Sequence, residues 1–195
     1  DALGAGDFAE WPCAAYRCAA IIWPTRARPS RESRRTMTYS FRPITRDDLP
    51  MFKDWLDQPH LAGWWGDSGT EARLVEDDLG TDHIDMRIVE HNGTPFAYVQ
   101  DYNAHHWPMP QYSDLPEDAR ALDTFLGDPS YLGKGHSSGY LRARLHTLTQ
   151  SYTSIAVDPD PQNTRAIAAY KSAGFRPTKI TPCEDGDPVQ VMVHP

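Results

Sequence analysis

A glycine-rich segment, Leu132-Gly133-Lys134-Gly135-His136-Ser137-Ser138-Gly139, carries the residues best suited to hold an anion. It lies between a strand pattern and a helix pattern. Its backbone N–H groups therefore stand at a helix N-terminus, without intrahelical partners and at the positive end of the helix dipole. Glycine lets that backbone come close to a ligand, and the Lys and His side chains add donors. The segment predicts a diphosphate cradle; a loop that needs glycine only for steric reasons is the alternative.

A second group of residues follows the next strand pattern along the chain. Asn163 begins a helix that carries Ala166 and Tyr170, and Gly174 stops that helix in the usual C-terminal position. The spacing predicts one helical face with an amide at its start and a phenol further along. Taken alone, Tyr170 also fits a core aromatic on an amphipathic helix.

The composition of the 195-residue chain narrows the classes of ligand. The formal net charge is −8, and the first 36 residues hold six Arg and only four acidic residues, so the remainder is strongly acidic. An acidic domain repels phosphate backbones, which argues against nucleic acid. It attracts polycations such as polyamines, Lys-rich peptides or amino sugars, although acidity that only confers solubility is an equal alternative.

The sequence gives little support for a membrane span, a disulfide framework or a metal site. No apolar run approaches the roughly 20 residues that span a bilayer. Three cysteines, Cys13, Cys18 and Cys183, have neither disulfide-framework nor zinc spacing, which favours a reducing, cytoplasmic setting. His105 and His106 are adjacent and point in different directions, so we expect no metal and no membrane partner.

The chain divides into two parts. Residues 1–36 are rich in Ala, Arg and Pro and predict a disordered leader or an extension from a misplaced start; residues 37–195 predict the folded domain. Periodicity within this domain predicts a mixed α/β fold with helices on both faces of the sheet. We expect strands at 38–43, 84–90, 95–102, 121–126, 153–157, 175–180 and 189–193, helices at 45–57, 70–79, 133–150 and 163–173, and a Pro-rich substrate lid at 104–119.

Together the two motifs resemble those of the GNAT superfamily of N-acetyltransferases. The superfamily loop Q/R-x-x-G-x-G/A corresponds to Ser130-Tyr131-Leu132-Gly133-Lys134-Gly135, with Ser in the first place. Its second signature, N-x-x-A-x-x-x-Y followed by G-F, is matched by Asn163, Ala166, Tyr170 and Gly174-Phe175. The resemblance implies a mostly antiparallel sheet in which a bulged fourth strand splays from the fifth to admit acetyl-CoA.

A narrower likeness extends over nearly all of residues 40–194. The segments His60-Leu61-Ala62-Gly63-Trp64-Trp65-Gly66, Leu122-Asp123-Thr124-Phe125-Leu126-Gly127 and Val157-Asp158-Pro159 resemble those of aminoglycoside 6′-N-acetyltransferases. The implied reaction is acetyl transfer from acetyl-CoA to the 6′-amine of an aminoglycoside, a polycation, by a monomer or homodimer involved in antibiotic resistance.

The resemblance also implies roles for individual residues. Backbone N–H groups near Phe125 or Leu126 would polarise the thioester, amides of Leu132 to Ser138 would hold the pyrophosphate, Asn163 would bind the pantetheine close to Ala166, and Tyr170 would protonate the thiolate. Asp123 would be the general base, and Asp158 would bind a second amine. Further acceptor contacts are expected from Trp64 or Trp65 (one of the pair being a core residue), Gln100, Tyr102, Asp185 and Asp187.

Three alternatives stay open. Acylation of a hydroxylated lysine in siderophore synthesis would use the same scaffold, although such enzymes usually carry His where this chain has Asp123. Acetylation of polyamines or proteins is a second alternative. A non-catalytic acetyl-CoA-binding module, a third, would need neither Asp123 nor Tyr170.

Overall fold

A computed structural model describes residues 39–195, which form a seven-stranded sheet with helices on both faces. The strand order is β1-β2-β3-β4-β5-β7-β6, and every neighbouring pair is antiparallel except β4 and β5. The strands are β1 Tyr39–Pro43, β2 Ile84–His91, β3 Thr94–Asn103, β4 Arg120–Leu126, β5 Ile155–Val157, β6 Arg176–Pro182 and β7 Pro188–His194. The helices are α1 Leu49–Leu56, α2 Ser68–Asp77, α3 His136–Leu148 and α4 Thr164–Ala173, with short 3-10 turns at Arg46–Asp48, Pro110–Tyr112 and Pro129–Tyr131.

Two hydrophobic cores lie on opposite faces of this sheet. Side chains of a strand alternate between faces, and in β4 Ala121 and Phe125 join the core under α1 and α2, whereas Leu122 and Leu126 join the core under α3 and α4. Asp123 therefore lies on the α1–α2 face. The alternation separates two environments along one strand.

Strands β4 and β5 are paired over only two residues each. Only Arg120↔Ile155 and Ala121↔Ala156 are paired, and Pro159 follows β5 closely. The predicted splay is thus confirmed. The implied bulge in β4 is absent, because its register with β3 runs without a shift from Asn103↔Arg120 to Ala97↔Leu126; the gap opens because β5 stops pairing.

Helix α1 packs closely against the end of β4. A Cβ on Gly127 would come within 2.1 Å of the Trp55 ring, so only glycine fits at this position. The Trp55 ring also makes an edge-on contact with Phe125, 6.3 Å between centroids. This packing fixes the strand end that borders the gap.

The predicted elements are all present, with ends that differ by a few residues. Asn92 and Gly93 have φ of 53° and 79°, as a tight hairpin between β2 and β3 requires. Helix α3 begins at His136 rather than Gly133, because Gly135 adopts a left-handed φ of 79° that ends the preceding loop. Cys13, Cys18 and the predicted leader lie outside the described residues, and Cys183 is buried.

Candidate active site

Two carboxylates stand side by side where β4 and β5 separate. Ala121 pairs with Ala156, and Asp123 and Asp158 each come two residues later on the same face of the sheet. Asp123 is fully buried and Asp158 is 8% exposed. Buried charges are costly unless they are paired. The arrangement is therefore suited to a cationic ligand.

Polar side chains of β3 hold Asp123. The Nε2 of Gln100 donates to Asp123 Oδ2 at 3.1 Å, and the hydroxyl of Tyr98 donates to Gln100 Oε1 at 2.7 Å. Burial, followed by the charge of Asp158, raises the pKa of Asp123 well above its ordinary value, against the opposing hydrogen bonds from Gln100 and Tyr102. A carboxylate with a raised pKa is a stronger base once it ionises.

Asp158 is held by a residue that the sequence reasoning missed. Gln111, from the 3-10 turn of the loop at 104–119, is fully buried, and its Nε2 donates to Asp158 Oδ2 at 3.1 Å and to Glu184 Oε2 at 2.9 Å. Burial raises the pKa of Asp158, and the charge of Glu184 adds to the effect. The neighbouring Tyr112 is also buried, and its pKa rises because of burial and the nearby Asp158.

A further buried acid lies near Asp123. Glu71, in the first turn of α2, is 2% exposed, and the Gly66 N–H donates to its carboxylate. Burial, together with the charges of Asp123 and Asp67, raises the pKa of Glu71 to about 8. Acidic residues are common in the first turn of a helix, where they usually face solvent, so the position of Glu71 in the sequence does not indicate burial.

The acidic turn between β6 and β7 contacts the lid through Glu184. Asp185, Asp187 and Glu184 are all exposed, and Glu184 is the one whose carboxylate reaches Gln111; the roles of Asp185 and Asp187 in acceptor binding stay predictions. The Cys183 N–H donates to the Asp187 carbonyl at 2.8 Å and closes this turn. The lid docks on the same hairpin through Asp114 and Lys179, whose charged groups are 2.5 Å apart.

The two adjacent tryptophans differ in environment. Trp65 is 7% exposed and packs edge-on against Phe125 and Tyr98, so it is the core member of the pair. Trp64 is partly buried on the same core. Of the two, Trp64 is the better placed to meet a ligand. Gln100 and Tyr102, also predicted for the acceptor site, are buried beside Asp123.

The glycine-rich segment Leu132–Gly139 borders a cavity on the face of the sheet opposite Asp123 and Asp158. This cavity of about 320 Å³ lies between the segment and α4 and is lined by Tyr131, Gly133, Gly135, His136, Ser137, Ser138, Thr164, Arg165, Ala168, Ala169 and Ser172. Gly133 and Gly135 have φ of 72° and 79°, which L side chains rarely adopt. Ser137 Oγ is buried and has no hydrogen-bond partner among the described residues. The small residues and unused hydroxyl fit a phosphorylated ligand.

The residues of the glycine-rich segment Leu132–Gly139 differ in the hydrogen-bond donors and charges that they can present to an anion. The N–H of Leu132 donates to the Pro129 carbonyl at 3.1 Å, so we expect the cradle to begin at Gly133. Lys134 is exposed. The Nδ1 of His136 lies 3.0 Å from the Tyr39 hydroxyl, and burial lowers the pKa of His136, which leaves Lys134 as the cation of the loop.

A second, narrow cavity lies between β4, α3 and α4. It is lined by Thr124, Phe125, Leu126, Ser137, Tyr140, Leu141, Ala166, Ala169 and Tyr170. Tyr170 therefore reaches β4 from the face opposite Asp123. Asn163 is buried and caps α4 by accepting from the Ala166 N–H at 3.1 Å.

The end of β4 presents its backbone to the gap. The Gly127 N–H donates to the Phe96 carbonyl on the β3 side, so by alternation the N–H of Leu126, rather than that of Phe125, faces the gap. The buried His60 bonds to the Leu126 carbonyl through Nε2 at 2.8 Å. His60 thus fixes the peptide that borders the gap.

The histidines and helices of residues 39–195 bear on two further kinds of site, metal sites and membrane spans. No group of three or more His, Cys, Asp or Glu side chains among residues 39–195 is placed to hold a metal ion. His106 stacks on His83, whereas His105 bonds to the Leu115 and Pro116 carbonyls. None of the four helices described above is both long and apolar enough to cross a membrane.

The comparisons with known proteins agree with this geometry. The family model of the acetyltransferase (GNAT) domain matches residues 45–182. The chain belongs to this family. It is therefore an acetyltransferase of the GNAT fold, and the narrow cavity along β4, α3 and α4 lies inside the matched region.

Individual relatives are similar over most of the chain. The aminoglycoside N(6′)-acetyltransferase type 1 of Klebsiella pneumoniae is 30% identical over 169 residues, which cover 78% of this chain and 81% of the relative. A crystal structure of the aminoglycoside acetyltransferase AAC(6′)-Ib with coenzyme A and kanamycin is 30% identical, with a TM-score of 0.70 and coverage of 80% and 94%. The N-hydroxyputrescine acetyltransferase of Acinetobacter baumannii is 25% identical over 127 residues, or 64% of this chain and 61% of the relative.

Proposed function

We propose that this enzyme transfers the acetyl group of acetyl-CoA to the 6′-amine of an aminoglycoside. The observation that carries the proposal is the pair Asp123 and Asp158, buried side by side at the gap, on the face opposite the anion-binding cavity. Two adjacent buried carboxylates favour a ligand with more than one positive charge. The relatives named as aminoglycoside acetyltransferases support the choice of acceptor.

The cradle on the α3–α4 face holds acetyl-CoA in this proposal. N–H groups from Gly133 to Ser138 and the side chain of Lys134 bind the pyrophosphate at the N-terminus of α3. Asn163 binds the pantetheine at the start of α4 beside Ala166. The Leu126 N–H, which faces the gap, donates to the thioester carbonyl and stabilises the oxyanion that forms there.

Asp123 is the general base of the reaction. The acceptor amine is cationic in water and becomes a nucleophile only after it loses a proton. Asp123 accepts that proton, directly or through a water molecule, and the amine then attacks the thioester carbon. The raised pKa of Asp123 brings its basicity closer to that of the amine.

Tyr170 completes the transfer from the other side of the sheet. When the tetrahedral intermediate collapses, the carbon–sulfur bond breaks and the thiolate takes the proton of the Tyr170 hydroxyl. The surplus proton on the newly acetylated nitrogen passes to solvent, and solvent reprotonates Tyr170 and takes the first proton from Asp123. The reference pKa of tyrosine, about 10, keeps that proton in place at neutral pH. Base and acid therefore act from opposite faces of one gap, and Asp158 and Trp64 hold the remainder of the acceptor.

Acetylation of a hydroxylated diamine is the second candidate. It is favoured by the similarity to an N-hydroxyputrescine acetyltransferase, and the same carboxylates would bind a diamine.

A panel of acceptors tests the assignment. The purified protein is incubated with acetyl-CoA and kanamycin, N-hydroxyputrescine, spermidine or lysine, and release of free thiol is followed. We expect kanamycin to give the highest kcat/KM, and mass spectrometry with fragmentation to place the acetyl group on the 6′-nitrogen. A higher kcat/KM for N-hydroxyputrescine would replace the first candidate by the second.

A further inference from the structure

Gln111 occupies an unusual place between two acids. It belongs to the lid at 104–119, Asp158 follows β5, and Glu184 belongs to the β6–β7 turn, so three separate elements converge on one amide. Its –NH₂ group must face the two carboxylates, because its carbonyl oxygen would be repelled by both. The orientation of the amide is therefore set by charge.

The carbonyl oxygen of the Gln111 side chain receives no hydrogen bond from the described residues. Gln111 Oε1 is buried and has no hydrogen-bond partner among the described residues. A glutamine with only a structural role would satisfy both halves, since an unpaired buried carbonyl is costly. The oxygen is adjacent to the nitrogen that bridges Asp158 and Glu184, so it borders the same acidic site.

The presence of Gln rather than Lys or Arg at position 111 supports the binding of a cationic ligand beside Asp158 and Glu184. A Lys or Arg in place of Gln111 would neutralise Asp158 and Glu184 and fill the site with a cation of the chain itself. A neutral amide orders the two carboxylates and leaves their negative charge in place. The site then requires a cation from outside.

Building on the proposed function, we infer that Gln111 is a specificity-determining residue: with Asp158 and Glu184 it forms a receptor for a second ammonium group of the acceptor. The amide nitrogen holds the two carboxylates together, and Oε1 accepts a hydrogen bond from the bound ammonium. Selection of acceptors with two separated amines thus depends on the lid.

The test compares an acceptor that carries several amines with one that carries a single amine. Kanamycin and methyl 6-amino-6-deoxyglucoside share the reacting group, and both are assayed with the wild-type protein and with the Gln111→Met, Gln111→Glu and Ser113→Ala variants. Ser113 lies in the same lid, exposed, and bonds only to the Pro110 carbonyl in the described structure, so Ser113→Ala controls for a disturbed lid.

We expect Gln111→Met to raise the KM of kanamycin about tenfold or more, as the loss of a hydrogen bond to a charged group predicts. Its kcat, and the KM of the single-amine acceptor, should change less than about threefold. Gln111→Glu keeps an acceptor but loses the amide nitrogen that holds Asp158 and Glu184 together, so it should raise the KM of kanamycin as Gln111→Met does. Equal effects of Gln111→Met on both acceptors, no effect on either, or a Glu variant that binds kanamycin like the wild-type protein would overturn the inference.

Calorimetric binding separates this inference from the acceptor assignment. Spermidine, with ammonium groups at several spacings, and butylamine are titrated into the same proteins in the presence of coenzyme A. Tighter spermidine binding that Gln111→Met abolishes supports the receptor even when kanamycin is not acetylated. If the wild-type protein binds spermidine no more tightly than butylamine and does not turn over kanamycin, both proposals fail.

Discussion

The two proposed ligand sites of this protein differ in the groups that form them: mainly backbone in one and polar side chains in the other. The cradle at the N-terminus of α3 consists of backbone, two glycines with positive φ and small side chains, all within a short stretch of sequence. The acceptor site is made of buried polar side chains from α2, β3, β4, the end of β5 and the lid, together with the exposed Glu184 of the β6–β7 turn. A site made of backbone tolerates changes of side chain that keep the conformation, whereas a site made of carboxylates depends on each charge.

The largest effect on the acceptor side is expected from Asp123→Asn. The variant keeps the shape and the hydrogen bond to Gln100 but removes the base, so kcat/KM for the acceptor should fall about 10²–10⁴-fold. Affinity for acetyl-CoA, measured by calorimetry, should stay within about twofold. Retained turnover would contradict the assignment of the base.

Next in size is Tyr170→Phe, on the opposite face of the gap. Loss of the hydroxyl removes the proton donor for the thiolate, and we expect kcat to fall about 10²-fold with little change in either KM. Tyr152→Phe, at a tyrosine whose ring lies under Arg120 away from the gap, is the matched control. A Tyr170→Phe variant as active as this control would make Tyr170 a core residue only.

A smaller effect is expected in the cradle itself. Gly135→Val forces a β-branched residue into a left-handed φ, at a cost of about 1–2 kcal/mol, so the Kd for acetyl-CoA should rise about tenfold as the turn distorts. Gly80→Val is the control, because Gly80 has a φ of 82° and equally open surroundings but lies far from the cradle in sequence. Equal Kd values for the two variants would argue against binding by this turn.

The last prediction concerns the pH dependence of stability rather than activity. The pKa of Glu71 is about 8 in the folded protein and near 4.5 in the unfolded chain. Between pH 4.5 and pH 8 the folded state therefore binds more protons than the unfolded state. The folded state is destabilised as the pH rises through this window. Glu71→Gln should flatten the slope by up to about 1.4 kcal/mol per pH unit. Urea unfolding at pH 5 to 8 measures this slope, with the exposed Glu76→Gln on the same helix as control; an unchanged slope would mean that Glu71 ionises normally.

The same contrast explains what could be predicted from the sequence. The cradle followed from local signals, since glycine spacing before a helix and an Asn that begins the next helix determine the backbone directly. The strands followed from alternation, and the Asn92-Gly93 turn fixed the β2–β3 hairpin. Helix α3 was placed three residues too early because the left-handed turn at Gly135 depends on φ, which residue type alone does not fix.

The acceptor site was predicted only in part, because burial of polar residues is a property of the assembled fold. Asp123 and Asp158 were found through a resemblance, but Gln111 carries no local signal beyond its place in a Pro-rich loop. For Glu184 a signal existed, since the acidic turn was recognised, yet which of its acids contacts Gln111 depends on how the loop at 104–119 lies against the hairpin.

The gap between β4 and β5 has a consequence for the persistence of the protein in the cell. A sheet that stops pairing in its interior leaves strand edges without partners, and a ligand that occupies them binds the folded chain but not the unfolded one. At a free concentration about 100 times its Kd, such a ligand adds about 2.7 kcal/mol to stability. The melting temperature, and with it the resistance of the chain to proteolysis, should therefore follow the supply of acetyl-CoA and fall when that supply is exhausted.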